Sequence, residues 1–239
     1  MITRIFTADE LENALMGIAP DIFSGKIKAL ALGYGFEYPF LKFFRNENNT
    51  VIGAYYGSAV ICGTMDEEIL HFCLSSGYGE ILFPKTAKLP EEITAQRLNI
   101  MEYKGNSEKS GTSPLSTDTP YSAVYDILKE GFDIPFDDWY TDTCHNVRHG
   151  ISEVFTLENA ATAQKMFTID GITLVSLVAV KEEARKCGTG SRLIKAVSAL
   201  LSEKSRVFVI CEDGLLPFYM KNGYEITDYC TQINIKGEH

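Results

Sequence analysis

The sequence predicts an α+β protein made of two domains that are joined by a polar segment. Three observations support this prediction. Runs of aromatic and β-branched residues, as in 51–62, alternate with stretches whose apolar residues recur at helical spacing. The dipeptide Asp170-Gly171 lies between two such runs, as expected for a tight antiparallel hairpin. In the segment 105–120 small polar residues and prolines replace the large apolar residues, Leu115 excepted, which is typical of a linker or a long exposed loop.

The composition excludes several classes of protein. The chain has 239 residues, of which 45% are hydrophobic and 23% charged, as in ordinary globular proteins. Its formal net charge of −10 repels phosphate backbones, so a general nucleic-acid-binding role is not expected. The sequence contains no apolar run near the roughly 18 residues of a membrane span, and its N-terminus turns acidic before a signal-peptide core forms. We therefore expect a cytoplasmic protein that does not enter the membrane.

The cysteines and histidines do not predict a metal site. The six cysteines lie far apart and form no C-x-x-C pair, which argues against a zinc ribbon or a thioredoxin-like motif. His145 and His149 stand four residues apart beside Cys144, a spacing that can bind zinc, but the usual flanking ligands are missing. Partly buried histidines without a metal are the preferred interpretation.

The N-terminal domain is predicted to span residues 1–104. Thr7 can cap a helix, Glu10 can reach back to its start, and Phe6 and Leu11 fit a hydrophobic staple. The further elements expected are an antiparallel hairpin of 40–44 with 51–62, a helix at 66–74, and strands at 80–83 and 98–103. This domain is either a degenerate copy of the C-terminal one or an unrelated substrate-specificity domain.

The C-terminal domain is predicted to span residues 121–239, after the linker 105–120. Since no clear first strand precedes Tyr121, we consider that this domain borrows a strand from its partner. A helix is indicated by apolar residues on one face, from Leu193 to Leu201. The other expected elements are helices at 121–129, 137–149 and 215–221, and strands at 154–157, 163–169, Ile172–Val180, Arg206–Cys211 and 224–235.

The most informative segment runs from the strand Ile172–Val180 through a charged loop to Gly188-Thr189-Gly190 at the start of a helix. The first turn of a helix has backbone N–H groups without intrahelical partners and a partial positive charge, so it suits a phosphate. A Walker loop is disfavoured because no lysine or second glycine falls in register. Dinucleotide binding is disfavoured because seven residues separate Val180 from Gly188 and Leu193 occupies the third glycine's place.

The remaining pattern, V-x-x-x-x-R-x-x-G-x-G, is satisfied by Val180, Arg185, Gly188 and Gly190. Together with the segment 218–224, FYMKNGY, it resembles the GNAT superfamily of acyl-CoA-dependent N-acyltransferases. The resemblance covers about 153–226 and implies a mixed, mainly antiparallel twisted sheet flanked by helices. Three departures bear on phosphate binding: Glu182 replaces a frequent proline, and Lys186 and Cys187 replace the usual glycine and basic residue, although Lys186 restores a positive charge.

The resemblance also implies a binding mode for acetyl-CoA. The end of the strand Ile172–Val180 splays from the next strand and holds the pantetheine arm with its main chain. The backbone N–H groups from Cys187 to Ser191 bind the diphosphate. The residues expected to bind the cosubstrate are Val178, Ala179, Val180, Arg185, Lys186, Cys187, Gly188, Thr189, Gly190 and Ser191.

In the same mechanism an amine attacks the thioester directly, and an acid protonates the departing thiolate. Tyr219 occupies the family's acid position, and its alternative role is simple packing. Glu212 is the candidate base, whereas Asp213 is more readily a solvated loop charge. The side chains expected to contact the acceptor instead of a metal are Trp139, Tyr140, His145 and Arg148.

The functional expectation is an N-acetyltransferase that acts on a small-molecule amine or a peptide amine, with one acetyl-CoA site per chain, no metal and a possible homodimer. Two alternatives stay open. One is an inactive module that binds acyl-CoA as a sensor or stabiliser, and the other is an interaction domain in which the motifs are accidental.

Overall fold

The computed structural model describes residues 1–84, 89–90, 93–105 and 114–235. The chain divides into two compact units, one formed by 1–100 with 228–239 and the other by 101–227. Of the predicted linker 105–120, residues 106–113 lie outside the described part. The units thus assign 101–104 and the end of the chain differently from the boundaries that the sequence suggests.

The first unit contains three helices and a mixed sheet within its described residues. Strands neighbour one another in the order β1-β2-β3-β4-β5-β11, and β4 and β5 are parallel while the other pairs are antiparallel. Its helices are α1 (Ala8–Leu15), α2 (Ile22–Tyr34) and α3 (Glu67–Ser75), and its strands are β1 (Thr3–Ile5), β2 (Leu41–Arg45), β3 (Val51–Tyr55), β4 (Ser58–Cys62), β5 (Glu80–Pro84), 95–100 of β6 (Ala95–Tyr103) and 228–234 of β11 (Tyr224–Asn234).

Helices α2 and α3 build this unit's core on its sheet. Ile69 and Cys73 of α3 are buried against strand residues such as Ile81. Helix α2 comes close to β3 at Gly53, where a Cβ would lie 3.0 Å from Cγ1 of Ile27. A larger residue at position 53 would therefore force the Ile27 side chain, and with it the packing of this helix, to shift.

The sequence predicted part of this unit correctly. Thr7 caps α1 by accepting a hydrogen bond from the Glu10 N–H at 3.2 Å, and β2 and β3 form the expected hairpin. The single strand expected at 51–62 is wrong. It divides into β3 and β4 at Tyr56-Gly57, because Tyr56 adopts a positive φ of 50° and turns the chain back on itself. Helix α2 was not predicted, because its apolar residues do not form a strict stripe on one face.

The second unit contains four helices and a mixed sheet within its described residues. Strand neighbours follow the order β6-β10-β9-β8-β7, with β9 and β10 parallel and the β9–β8 and β8–β7 pairs antiparallel. Its helices are α4 (Tyr121–Leu128), α5 (Phe136–Arg148), α6 (Thr189–Ser202) and α7 (Leu216–Lys221), and its strands are β7 (Glu153–Leu157), β8 (Ala161–Ile169), β9 (Ile172–Val180), β10 (Arg206–Cys211), 101–103 of β6 and 224–227 of β11.

Both faces of the second sheet are covered by helices. Leu193, Ile194 and Val197 of α6 pack on one face with Phe155 of β7. On the other face α4 and α5 pack against Val154 and Ala179. Phe155 and Val154 are adjacent in β7 and point to opposite faces, as strand geometry requires. The predicted mixed, mainly antiparallel sheet flanked by helices is confirmed.

The end of β6 belongs to the core of the second unit. Met101 and Tyr103 are buried there with Val207 and Val209 of β10. Glu102, between them, accepts two hydrogen bonds from Arg206 at 2.8 Å each. The end of β6 thus supplies the second unit with the strand that was not recognised in the sequence immediately before Tyr121.

Candidate functional site

The parallel strands β9 and β10 are paired only at their N-terminal ends in the described structure. Their paired residues run from Ile172 with Arg206 to Leu174 with Phe208. Residues 175–180 and 209–211 continue beyond the paired segment. Because main-chain N–H and C=O groups need partners, two separating strands offer a place where a ligand can add its own hydrogen bonds.

Strand β9 carries a β-bulge at this opening. Its pairing with β8 shifts between Ser176–Gln164 and Ala179–Thr162, so β9 has one residue more than β8 there. Leu177 takes up that residue with a φ of +50°, a value that a leucine seldom adopts. A bulge re-aims the main chain that follows it, which here begins at Val178. Leucine gives no local signal for this turn, so sequence reasoning missed it.

The loop after β9 leads to an uncapped helix start. Gly188 has a φ of +81°, precedes α6, and provides no side-chain cap. The first intrahelical bond joins the Arg192 N–H to the Gly188 carbonyl at 3.0 Å, which leaves the N–H groups of 189–191 without intrahelical acceptors. Cys187 and Lys186 are exposed, and Lys186 also has a positive φ of 62°. Free N–H groups at the start of a helix are the donors that an anion requires.

Gly190 lies where β9, α6 and α7 meet. A Cβ at this position would lie 3.1 Å from Cγ2 of Val180 and 3.5 Å from Cε2 of Phe218. Both of the glycines that the motif requires thus have a physical reason: Gly188 supplies the left-handed turn, and Gly190 permits the close approach of the helix to the strand end.

Arg185 is engaged with the main chain. Its Nε donates to the Val180 carbonyl at 3.0 Å, and its Nη2 donates to the Glu130 carbonyl at 2.9 Å. The Glu130 carboxylate in turn accepts from the Glu182 N–H. The guanidinium therefore holds the loop onto the strand end and the end of α4. Glu130 was missed by the sequence analysis because it lies 55 residues before Arg185.

Tyr219 of α7 is buried next to the opening, with 6% of its surface exposed. Its ring contacts those of Phe218 and Tyr224, and it shares a core cluster with Val178 and Cys211. Among the described residues its hydroxyl makes no hydrogen bond. Burial, and then the nearby Cys211 thiol, raise the pKa of Tyr219 above its ordinary value, so the hydroxyl stays protonated.

The carboxylates at the end of β10 are solvated. Glu212 and Asp213 are exposed, and Glu212 is held by its main chain, whose carbonyl accepts from the Leu215 N–H at 3.0 Å. Burial raises the pKa of the Cys211 thiol to about 11, with smaller contributions from the charges of Asp213 and Glu212. The structure brings Tyr219, Val178 and Cys211 into one cluster but gives the Glu212 carboxylate no hydrogen-bond partner among the described residues.

Helix α5 carries the residues that were expected to contact the acceptor, and these residues differ in burial. Trp139 is buried, and its Nε1 donates to Oε1 of Gln164 at 3.4 Å, so it belongs to the core. Tyr140 is exposed. The rings of His145 and His149 lie 4.2 Å apart between centroids. Within the described residues, no group of three or more histidine, cysteine, aspartate or glutamate side chains forms a possible metal site.

The arrangement of strands and helices matches solved structures of acetyltransferases. A GCN5-related N-acetyltransferase from Kribbella flavida is 14% identical, with a TM-score of 0.61 over 94% of this chain and 98% of its own. A tandem GNAT protein from the clavulanic acid biosynthesis pathway is 12% identical, with a TM-score of 0.58 over 100% of this chain and 99% of its own.

This chain has the GNAT fold. A GNAT-family acetyltransferase from Colwellia psychrerythraea, at 12% identity and a TM-score of 0.56, covers 99% of this chain and 100% of its own. Identities this low show the GNAT fold alone. No protein-family model and no curated protein sequence matches the chain. In the described part of this GNAT-fold chain, no helix has both the length and the apolar character of a membrane span.

Proposed function

We propose that the chain is an N-acetyltransferase that moves the acetyl group of acetyl-CoA to a primary amine. The observation that carries the proposal is the uncapped start of α6, which faces the separated end of β9. Other supporting features are the bulge at Leu177 and the protonated hydroxyl of Tyr219, which has no hydrogen-bond partner among the described residues. Acetyl-CoA supplies the activated acyl group, and the residues of the chain bind, orient and protonate.

The donor set fits a diphosphate. The N–H groups of 187–191 are backbone donors at a helix terminus, and a positive side chain, Lys186, lies beside them. Gly190 lets the start of α6 pack closely against Val180 at the end of β9, which brings these donors next to the strand end. In this proposal Val178, Ala179 and Val180 hold the pantetheine arm, and Arg185 holds the loop through the contacts described above.

The chemistry proposed for the chain's own groups has two parts. The Val178 N–H, re-aimed by the bulge, donates to the thioester carbonyl oxygen and stabilises the negative charge that develops there. The Tyr219 hydroxyl donates its proton to the departing sulfur. Glu212 is the proposed base, and since its carboxylate is exposed, it would act through water. The proposed acceptor is a small-molecule amine or a peptide amine.

A second function is favoured by one observation. The Glu212 carboxylate is exposed and no described residue orients it by a hydrogen bond, which favours an acyl-CoA-binding sensor that transfers nothing. In both functions the chain binds one acetyl-CoA. We also propose that the protein works in the cytoplasm, that it forms a homodimer, and that residues 1–104 are a degenerate GNAT-like domain without a cosubstrate site.

Calorimetric titration with acetyl-CoA tests the binding step. The wild-type chain should bind acetyl-CoA. Its free energy of unfolding should rise by about 2.7 kcal/mol at a ligand concentration of about one hundred times Kd. Gly190→Val should weaken binding about 10- to 100-fold, because its side chain overlaps Val180. Gly214→Ala is the matched control, since a Cβ there meets no atom within 4 Å.

Release of free thiol with a panel of amines then separates the two functions. Thiol release that depends on an amine identifies the enzyme, and binding without release identifies the sensor. Absence of acetyl-CoA binding by the wild-type chain would overturn both.

A further inference from the structure

The residue Glu130 joins the end of α4 to the loop that leads to the candidate diphosphate site. It follows α4 by two residues, and its N–H donates to the Ile127 carbonyl at 3.3 Å. Ile127 and Leu128 are buried on the sheet, and a Cβ at Gly131 would lie 3.7 Å from Cβ of Ala179. Glu130 is therefore attached to a well-packed part of the second unit.

Three contacts connect Glu130 to the loop. Its carboxylate accepts from the Glu182 N–H, and its carbonyl accepts from Nη2 of Arg185 at 2.9 Å. The carboxylate oxygen Oε2 also lies 3.7 Å from the same Nη2. Arg185 donates separately to the Val180 carbonyl at 3.0 Å. Contacts within the chain thus hold the loop 180–185 at Val180, Glu182 and Arg185.

A carboxylate so near an anion site requires a reason, because its charge repels a diphosphate. Arg185 offsets that charge. The contacts of Glu130 fix the position of the loop. Lys186 and Gly188, which come shortly after Arg185, both have a positive φ, and residues 186–188 are exposed. A loop already held in one conformation loses less conformational entropy when a ligand binds.

We propose that Glu130 is a positioning residue that fixes the diphosphate loop through the Glu182 N–H and Arg185. This inference rests on the proposed function, because it assumes that the loop binds the diphosphate of coenzyme A. Glu130 touches no reacting atom, so its removal should affect binding of the diphosphate and leave kcat unchanged.

The test compares Glu130→Ala, Glu130→Gln and wild type, with Asp126→Ala as the control. Asp126 lies on α4 and pairs with Lys129 at 2.7 Å, so removing it takes a carboxylate from the same helix without removing a hydrogen bond to the loop. Affinity is measured for coenzyme A by calorimetry and for pantetheine, which lacks the diphosphate, by ligand-observed NMR. Circular dichroism and thermal melting show whether each variant folds.

Loss of the hydrogen bond from the Glu182 N–H should raise the Kd of Glu130→Ala for coenzyme A about five- to tenfold, the upper part of the range for an ordinary protein hydrogen bond. Glu130→Gln, whose amide oxygen still accepts from the Glu182 N–H, should stay within about twofold of wild type, as should Asp126→Ala. All four proteins should bind pantetheine equally, and kcat with an accepted amine should not change.

If Glu130→Ala binds coenzyme A as tightly as wild type or more tightly, the proposal is wrong. In that case the contacts of Glu130 do not favour binding, or repulsion between its charge and the diphosphate outweighs them. An equal loss with Glu130→Gln would assign the effect to charge and overturn the hydrogen-bond account. A wild-type chain that binds no coenzyme A removes both this inference and the proposed function, whereas normal wild-type binding with unaffected variants removes this inference alone.

Discussion

The two units contain the same crossover, a strand, a helix and a parallel strand, yet the helix starts differ. In the first unit β4 leads through α3 to β5, and in the second β9 leads through α6 to β10. Asp66 caps α3 by accepting from the Ile69 N–H at 2.9 Å, and Glu67 and Glu68 follow it. Helix α6 begins directly after Gly188 and has no side-chain cap among the residues that the structure describes.

The strands before these helices also differ. Strand β4 pairs with β3 in an unbroken register from Ser58 with Tyr55 to Cys62 with Val51. Strand β9 is interrupted by the bulge at Leu177. A parallel crossover therefore does not by itself provide free N–H donors for an anion. A carboxylate at the helix start satisfies the N–H groups and repels phosphate, while glycine leaves them available.

The largest expected effect concerns chemistry at the open crossover. Tyr219→Phe should lower kcat by about 100-fold or more, because general acid catalysis contributes at least that much, and should leave the Kd for acetyl-CoA unchanged. Steady-state thiol release and calorimetry measure the two quantities. Unchanged kcat would restrict Tyr219 to packing with Phe218 and Tyr224.

Removing the interaction of Glu102 with Arg206, at the paired end of β9 and β10, should lower the stability of the fold. It should leave the end where the two strands separate unchanged. Glu102, whose side chain is 6% exposed, has its pKa lowered to about 2, first by the hydrogen bonds from Arg206 and further by Lys104. Its ordinary pKa is 4.5, so the stabilisation is complete above that pH and is lost as the pH falls toward 2.

Glu102→Gln should therefore lower the unfolding free energy by about 2–3 kcal/mol at pH 7, and the difference from wild type should shrink toward pH 3. Urea unfolding at both pH values measures this difference. A constant difference across that range would contradict the assignment. Acetyl-CoA affinity at pH 7 should not change.

A carboxylate placed before α6, as Asp66 is before α3, should weaken binding of the diphosphate. Gly188→Asp and Gly188→Asn place similar side chains at a left-handed position that both residues tolerate. The aspartate should bind acetyl-CoA about tenfold more weakly than the asparagine, because only it carries a negative charge beside the diphosphate. Calorimetry at low and high salt measures the gap, which should narrow as salt increases. Equal affinities would show that charge at the helix start is unimportant.

The smallest effect is expected in the first unit. Asp66→Ala should lower the unfolding free energy by about 1 kcal/mol, because α3 loses its cap, and Asp66→Ser should restore most of it. Neither change should alter acetyl-CoA affinity. Chemical denaturation followed by circular dichroism tests the first part, and a loss of affinity in either variant would contradict the proposal of one site in the second unit.

Much of the second unit could be predicted from local sequence. Asp170-Gly171 forms its turn with φ values of 49° and 73°, as Asp-Gly turns prefer, and β8 begins at Ala161, two residues before the expected start at Ala163. Gly188 and Gly190 mark the loop because glycine has a local conformational meaning. The first unit was less predictable, since the turn at Tyr56 and the packing of α2 on Gly53 depend on partners distant in sequence.

Local sequence was sufficient to predict where most helices and strands of the second unit begin and which loop offers free backbone donors, because caps, turns and apolar periodicity act over a few residues. Only the tertiary structure decided that β9 bulges at Leu177, that Arg185 is held by Glu130, and that the end of β6 packs in the second unit. These features arise from contacts between segments far apart in the chain, and no local pattern of residue types encodes such contacts.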